Sequence, residues 1–270
     1  MANQAPASRR SAGISAENPL RRSPYFSPRL PRVFAHRGLA LEAPENTLLA
    51  FVHALAAGAT HIETDVHASS DGVAVISHDP DLRRLAGMPG AVEQLTLAQL
   101  QSIDLGAGQT FPTLTHALDA LPEARFNIDV KTDRAVAPTV RAVLAAHAVD
   151  RVLITSFSER RRRRAVAALP GVATSASTGR FVPALAGAKT GLSPAVRRAL
   201  RGIDAVQVPE RRGRLRVVTP RILRAMHSAG LEVHVWTVND PDDMRRLLLL
   251  GVDGLVTDRC DLAVQVIAKL

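Results

Sequence analysis

From residue 32 onward, short runs of Val, Ile, Leu and Ala alternate with longer stretches rich in Ala, Leu and Arg. The short runs predict strands over Arg32–His36, His61–Val66, Arg125–Lys131, Arg151–Ser156, Val172–Ser177, Ala205–Val208, Glu232–Val238 and Gly254–Asp258. The longer stretches predict helices over Asn46–Ala57, Thr113–Leu121, Ala135–His147, Ser158–Leu169, Pro194–Arg201, Pro220–Ala229, Pro241–Leu250 and Asp261–Leu270. Strand followed by helix throughout the chain predicts an α/β fold whose parallel strands close into a TIM (β/α)8 barrel. An open doubly wound sheet is the alternative, but the Gly-x-Gly-x-x-Gly turn of its dinucleotide-binding form does not follow the first strand.

The alternation breaks twice. Val73–His78 reads as an extra strand, joined to the second by the turn signal Ser69-Ser70-Asp71-Gly72. Residues 79–112 then form a loop-rich small insertion with one short helix expected over Thr96–Ile103. The second break, Gly179–Leu192, is rich in Gly, Ala and Pro and is expected to be a mobile loop over one barrel end. Barrel chemistry sits where strands end and such loops begin, so both breaks are candidate pocket walls.

A length of 270 residues fits one barrel spanning 32–270. With 46% hydrophobic but only 3% aromatic residues, its core must be aliphatic. The lone Cys260 excludes an internal disulfide and fits a reducing, cytoplasmic setting; flanked by Arg259 and Asp261, it reads as structural. Residues 1–31 read as a flexible basic extension. Up to residue 32 six arginines face one glutamate, so this stretch carries +5 of the net +9 and leaves little excess for the barrel. It has no apolar run of a secretory signal, and its Arg-rich composition is shared with transit peptides; a disordered cytoplasmic arm is the reading adopted. Such an arm can contact anionic surfaces by charge alone, whereas the scarcity of aromatics argues against a specific nucleic-acid partner. No segment has the ~20 consecutive apolar residues of a membrane span.

The candidate chemistry is concentrated early in the chain. Residues i and i+2 of a strand share a face, so Glu63 and Asp65 project together. Two like charges there are unfavourable unless a cation lies between them, and hard oxygens suit Mg²⁺ or Ca²⁺. His36, ahead of Arg37-Gly38, and His78, ahead of Asp79, add two imidazoles able to move protons near neutral pH, and Arg37 adds a guanidinium fork for phosphate. Asp129 and Lys131 repeat the i, i+2 geometry on the third strand. Asp129 can complete a three-carboxylate cradle, and Lys131 can neutralise a phosphate oxygen. Glu45 could reach the site from behind, Asn46 or Thr47 could cap the first helix, and Asp79 could orient its loop. His53, His61, His67, His116, His147, His227 and His234 lack such company and read as structural or surface residues. The combination points to metal-assisted cleavage of a phosphate ester.

Ala35-His36-Arg37-Gly38, Pro44-Glu45-Asn46-Thr47, Glu63-Thr64-Asp65-Val66, His78-Asp79, Val235-Trp236-Thr237-Val238-Asn239 and the run from Leu250 to Asp258 resemble, in order, the motifs of the glycerophosphodiester phosphodiesterase family. The resemblance covers roughly residues 32–262. It implies a TIM barrel with a small insertion after the second strand, catalytic histidines at His36 and His78, phosphate held by Arg37, and a divalent metal bound by Glu63, Asp65 and Asp129. Lys131 matches the family's basic residue beyond the third ligand, and Trp236 an aromatic of the substrate pocket. Asp129 departs from the family's usual Glu, being one methylene shorter. The implied reaction is metal-dependent hydrolysis of a glycerophosphodiester to glycerol 3-phosphate and an alcohol. A lysophospholipase D-like activity and a barrel that binds phosphodiesters without cleaving them are the alternatives.

Overall fold

The computed structural model describes residues 23–270. The part of the expected basic arm that falls on residues 1–22 lies outside the described residues. Eight parallel strands form the barrel: β1 (Arg32–His36), β2 (His61–Ala68), β3 (Phe126–Val130), β4 (Val152–Thr155), β5 (Ala173–Thr174), β6 (Ala205–Pro209), β7 (Glu232–Trp236) and β8 (Gly254–Thr257). Neighbours pair in sequence order, and β1 pairs with β8. The short β5 is linked to β6 by a parallel bridge between Ser175 and Ala205, so the ring is nearly closed there too. Asp204 N–H donates to the Thr174 carbonyl and Ala176 N–H to that of Ala205.

Alternation along the strands separates two environments. Val33 and Ala35 face outward into the aliphatic layer beneath the helices, as do Ile62 and Val66. The other face of each strand turns inward and is largely polar. Low in the barrel, Arg32 meets Glu232 through two bonds of 2.7 Å, both side chains 2% exposed, and His234 Nε2–H donates to the same carboxylate at 2.9 Å. A buried pair this well bonded satisfies charges that would each be costly alone. Gly254 is required beside it: a Cβ there would lie 2.9 Å from the Phe34 ring and 3.0 Å from that of His234.

Two expectations need correction. The flexible extension does not reach residue 31, because Tyr25 and Phe26 are buried under the barrel, where Arg32 donates to the Phe26 carbonyl and the rings of Tyr25 and His61 meet edge-on. The span Gly179–Leu192 is not a loop but the greater part of a helix, Thr178–Thr190. Its glycines read as breakers, yet Gly187 is where the next helix packs, a Cβ there lying 3.2 Å from Val196, and Gly191 ends the helix at φ +81°. The extra strand is short, Ala74–Ile76, and pairs antiparallel to β2 outside the barrel ring. Within residues 79–112 the expected helix forms over Leu97–Gln101, capped by Thr96 and Gln99 in a reciprocal box.

Burial, and then the Arg32 charge, push the His61 imidazole down to about 3. The unfolded chain takes up this proton near pH 6.5 while the folded barrel refuses it, so stability is lost as pH falls through that window. His61→Gln is expected to flatten the acid limb of a urea-unfolding series between about pH 6 and 4 relative to the parent chain. An unchanged slope would remove His61 from the acid response.

Candidate active site

The C-terminal ends of β1, β2 and β3 bring most of the expected residues together. Register places His36 beside Glu63 and Asp65 beside Asp129. The chain then turns sharply after β1, with Arg37 at φ +60° and Gly38 at φ +87°. A Cβ on Gly38 would sit 2.7 Å from the Ala50 backbone, so only glycine fits against the first helix, Leu48–Ala56. Arg37 N–H donates to the Glu63 carbonyl at 2.9 Å, and its own carbonyl accepts from Asn46 N–H at 2.8 Å. The loop is thereby pinned to both β2 and the helix entrance.

Thr47, not Asn46, caps that helix, its hydroxyl accepting from Ala50 N–H. Asn46 instead braces the site: its amide donates to Asp65 Oδ2 at 3.1 Å and accepts from the Thr64 hydroxyl at 2.8 Å. Asp65 is the most heavily engaged acid. Arg37 Nε lies 3.3 Å from Oδ2, and Lys131 Nζ lies 2.7 Å from both Asp65 Oδ1 and Asp129 Oδ2. Burial alone would raise the Asp65 carboxyl, but the Lys131 and Arg37 charges hold it below its ordinary value.

Glu63 and Asp129 are less well served. Glu63 Oε2 and Asp129 Oδ1 are buried without a hydrogen-bond partner. Burial and then the neighbouring Asp65 charge push Glu63 up to about 8. Asp129 is likewise raised by burial, against the opposing pull of Lys131. Among the described residues no group of three acidic, imidazole or thiol side chains is placed so as to hold a metal ion as it stands; the Lys131 ammonium lies between Asp65 and Asp129.

Each expected histidine is backed by a carboxylate. His36 Nδ1–H donates to Asp258 Oδ1 at 2.6 Å, leaving Nε2 4.0 Å from Glu63 Oε2. Burial works to lower its proton affinity, but the Asp258 bond and the Glu63 charge prevail and raise it. Asp258 is held in turn by Asn239, whose amide donates to Oδ2 at 2.7 Å and whose carbonyl oxygen accepts from Asp258 N–H and the Thr257 hydroxyl. His78 lies in the loop beyond Ala74–Ile76 rather than at a barrel strand end. Its Nδ1–H donates to Asp79 Oδ1 at 2.8 Å, so Asp79 orients the imidazole itself. His67 Nε2–H donates to the His78 carbonyl at 3.3 Å.

Asp79, Glu45 and Arg37 are joined through Arg84, a residue the sequence did not single out. Arg84 Nε donates to Asp79 Oδ2 at 2.6 Å, and its terminal nitrogens donate to Glu45 at 2.6 and 2.9 Å. Glu45 then accepts from Arg37 at 3.0 Å. A continuous chain of ion pairs thus ties the His78 loop to Arg37 after β1. Trp236, at the end of β7, is partly buried and meets the Phe157 ring edge-on at 6.4 Å. Phe157 follows β4 and is 62% exposed.

A model of the glycerophosphoryl diester phosphodiesterase family matches residues 36–262. A Mycobacterium tuberculosis protein named probable glycerophosphodiester phosphodiesterase 2 is 47% identical over 230 residues, which cover 84% of this chain and 87% of that one. The crystal structure of a glycerophosphodiester phosphodiesterase from Agrobacterium tumefaciens superposes with a TM-score of 0.72 at 29% identity, covering 88% of this chain and 99% of that one. One from Thermotoga maritima superposes at 0.70 and 27% identity, covering 86% and 96%.

Proposed function

The chain belongs to the glycerophosphoryl diester phosphodiesterase family, and we propose that its barrel mouth hydrolyses glycerophosphodiesters to glycerol 3-phosphate and a free alcohol, using His36 and His78 and a divalent cation. The observation that carries this reading is the pair of imidazoles, each with Nδ1 committed to a carboxylate, one at the end of β1 and one in the loop beyond Ala74–Ile76, beside one buried cluster of acids and cations. With Nδ1 engaged, Nε2 of each ring is the atom available for proton transfer. One histidine takes the proton of the attacking glycerol 2-hydroxyl and the other donates to the leaving alkoxide, and water then opens the resulting cyclic phosphate to glycerol 3-phosphate. Arg37 and Lys131 stabilise negative charge that grows on the phosphoryl oxygens. Trp236 forms the apolar side of the pocket that receives the alcohol moiety.

Glu63, Asp65 and Asp129 would hold the cation, Mg²⁺ or Ca²⁺. The donors are hard oxygens, and two of them, Glu63 Oε2 and Asp129 Oδ1, are buried with no hydrogen-bond partner. A bound cation supplies Lewis-acid polarisation of the phosphate.

Hydrolysis of glycerophosphocholine by the purified chain is expected to stop after exhaustive chelation and to return with Mg²⁺ or Ca²⁺. Activity that survives chelation would remove the metal from the reaction. A lysophospholipid and bis-p-nitrophenyl phosphate assayed in parallel separate a lysophospholipase D-like preference from a general diesterase. Turnover of none of the three under any cation would leave a binding barrel.

A further inference from the structure

Immediately beyond β6 the chain forms a two-stranded hairpin, Arg211–Arg212 paired with Leu215–Arg216 across Gly213-Arg214. It closes back on the barrel where Val217 and Val218 N–H donate to the Glu210 carbonyl. Pro209, the last residue of β6, is the register partner of Trp236, so the hairpin rises beside the pocket aromatic at the catalytic end.

All six hairpin residues are exposed, and their charges are poorly compensated. Arg211 and Arg216 stand directly opposite each other, a like-charge pair that weakens a hairpin. Among the described residues Arg212, Arg214 and Arg216 form no ion pair, and Arg211 has only Glu210 at 4.0 Å. That carboxylate is already bound by Arg246 at 2.8 and 3.1 Å. Large apolar side chains stand out at the same end of the barrel, on three separate loops: Leu41 after β1 is 60% exposed, Phe157 after β4 is 62% exposed and Leu215 in the hairpin is 38% exposed. Concentrated positive charge with apolar tips is the composition of an interfacial anchor, which pairs with lipid phosphates and inserts shallowly. A polyanion in solution would engage the arginines but has no use for exposed aliphatic side chains. No helix among the described residues is long and apolar enough to cross a membrane.

We propose that this hairpin, with Leu41 and Phe157, docks the catalytic end of the barrel on an anionic lipid surface. The docking goes beyond the hydrolytic reading and is measured by binding alone, so each can fail without the other.

The test is cosedimentation of the full chain with vesicles of phosphatidylcholine alone and of phosphatidylcholine with phosphatidylglycerol. Wild-type protein is expected to pellet with the anionic vesicles only, and less as salt rises. Each arginine removed is expected to weaken binding about fivefold, so R211Q/R212Q/R214Q/R216Q loses roughly several hundredfold. Leu41→Ser with Leu215→Ser weakens it further at constant charge. Circular dichroism and urea unfolding are the control for folding and match the wild type. Should the quadruple variant not fold, R214Q at the hairpin tip alone carries the fivefold loss. Wild-type sedimentation of the arginine variant overturns the proposal. So does binding lost only in R9Q/R10Q/R21Q/R22Q, which would place the contact in the N-terminal stretch. Equal affinity for a short RNA, with the leucine variant unaffected, identifies a polyanion site instead of a lipid one.

Discussion

His36→Ala is expected to lower kcat by about 10²–10⁴-fold with KM within a few-fold of wild type, as removal of a proton-transferring group does. The ring lies at the barrel mouth with Nδ1 on Asp258 and Nε2 toward Glu63. Circular dichroism should match the parent. Asp258→Asn also lowers kcat, because an amide offers one acceptor oxygen where Asp258 accepts from both His36 and Asn239, and the negative charge behind the imidazole is gone. The Asp258 bond raises the His36 proton affinity, so its removal should move the His36 limb of the pH–rate profile toward lower pH. A folded His36→Ala protein with near-normal kcat would overturn the assignment.

Lys131→Met is expected to damage both activity and stability. Its ammonium is the cation shared by Asp65 and Asp129, at 2.7 Å from each. Removing one partner of a buried pair strands the others, at a typical cost of about 3–5 kcal/mol. Protonation of Asp129, already raised by burial, recovers part of that cost as pH falls. Urea unfolding with and without Ca²⁺ reads the effect independently of turnover. If the three carboxylates bind the ion, Ca²⁺ should stabilise the variant more than the parent, in which Lys131 already supplies a positive charge. Activity should fall by about 10²–10³-fold through loss of charge stabilisation at the phosphoryl group. Unchanged stability in the absence of cation would show that Lys131 does not neutralise the cluster.

Much of the architecture was legible because a barrel repeats one local signal. Apolar runs at strand spacing and turn residues between them placed the strands to within a few residues. Pro241–Leu250 matches its helix end for end, with Asp240 capping one terminus and Gly251 closing the other. The misread span was Gly179–Leu192, where Gly187 serves helix–helix contact and carries no local mark of it. The alternation that paired Glu63 with Asp65 also pairs Val256 with Asp258, so Asp258 was within reach of the same reasoning. Arg84 was not: it sits in a single helical turn, Arg83–Ala86, and its value comes from Glu45 and Asp79, far apart in sequence. Likewise, Tyr25 and Phe26 seal the barrel floor through contacts that composition alone does not announce.

The chain of ion pairs from Arg37 through Glu45 and Arg84 to Asp79 bears on how this barrel can be re-engineered. Residues 80–112 invite exchange for a longer segment. A transplant without a guanidinium where Arg84 stands would leave Glu45 and Asp79 facing each other uncompensated, and the His78 imidazole would lose its alignment. Arg84 and Glu45 must therefore travel together, which makes the heritable module larger than the segment that looks interchangeable.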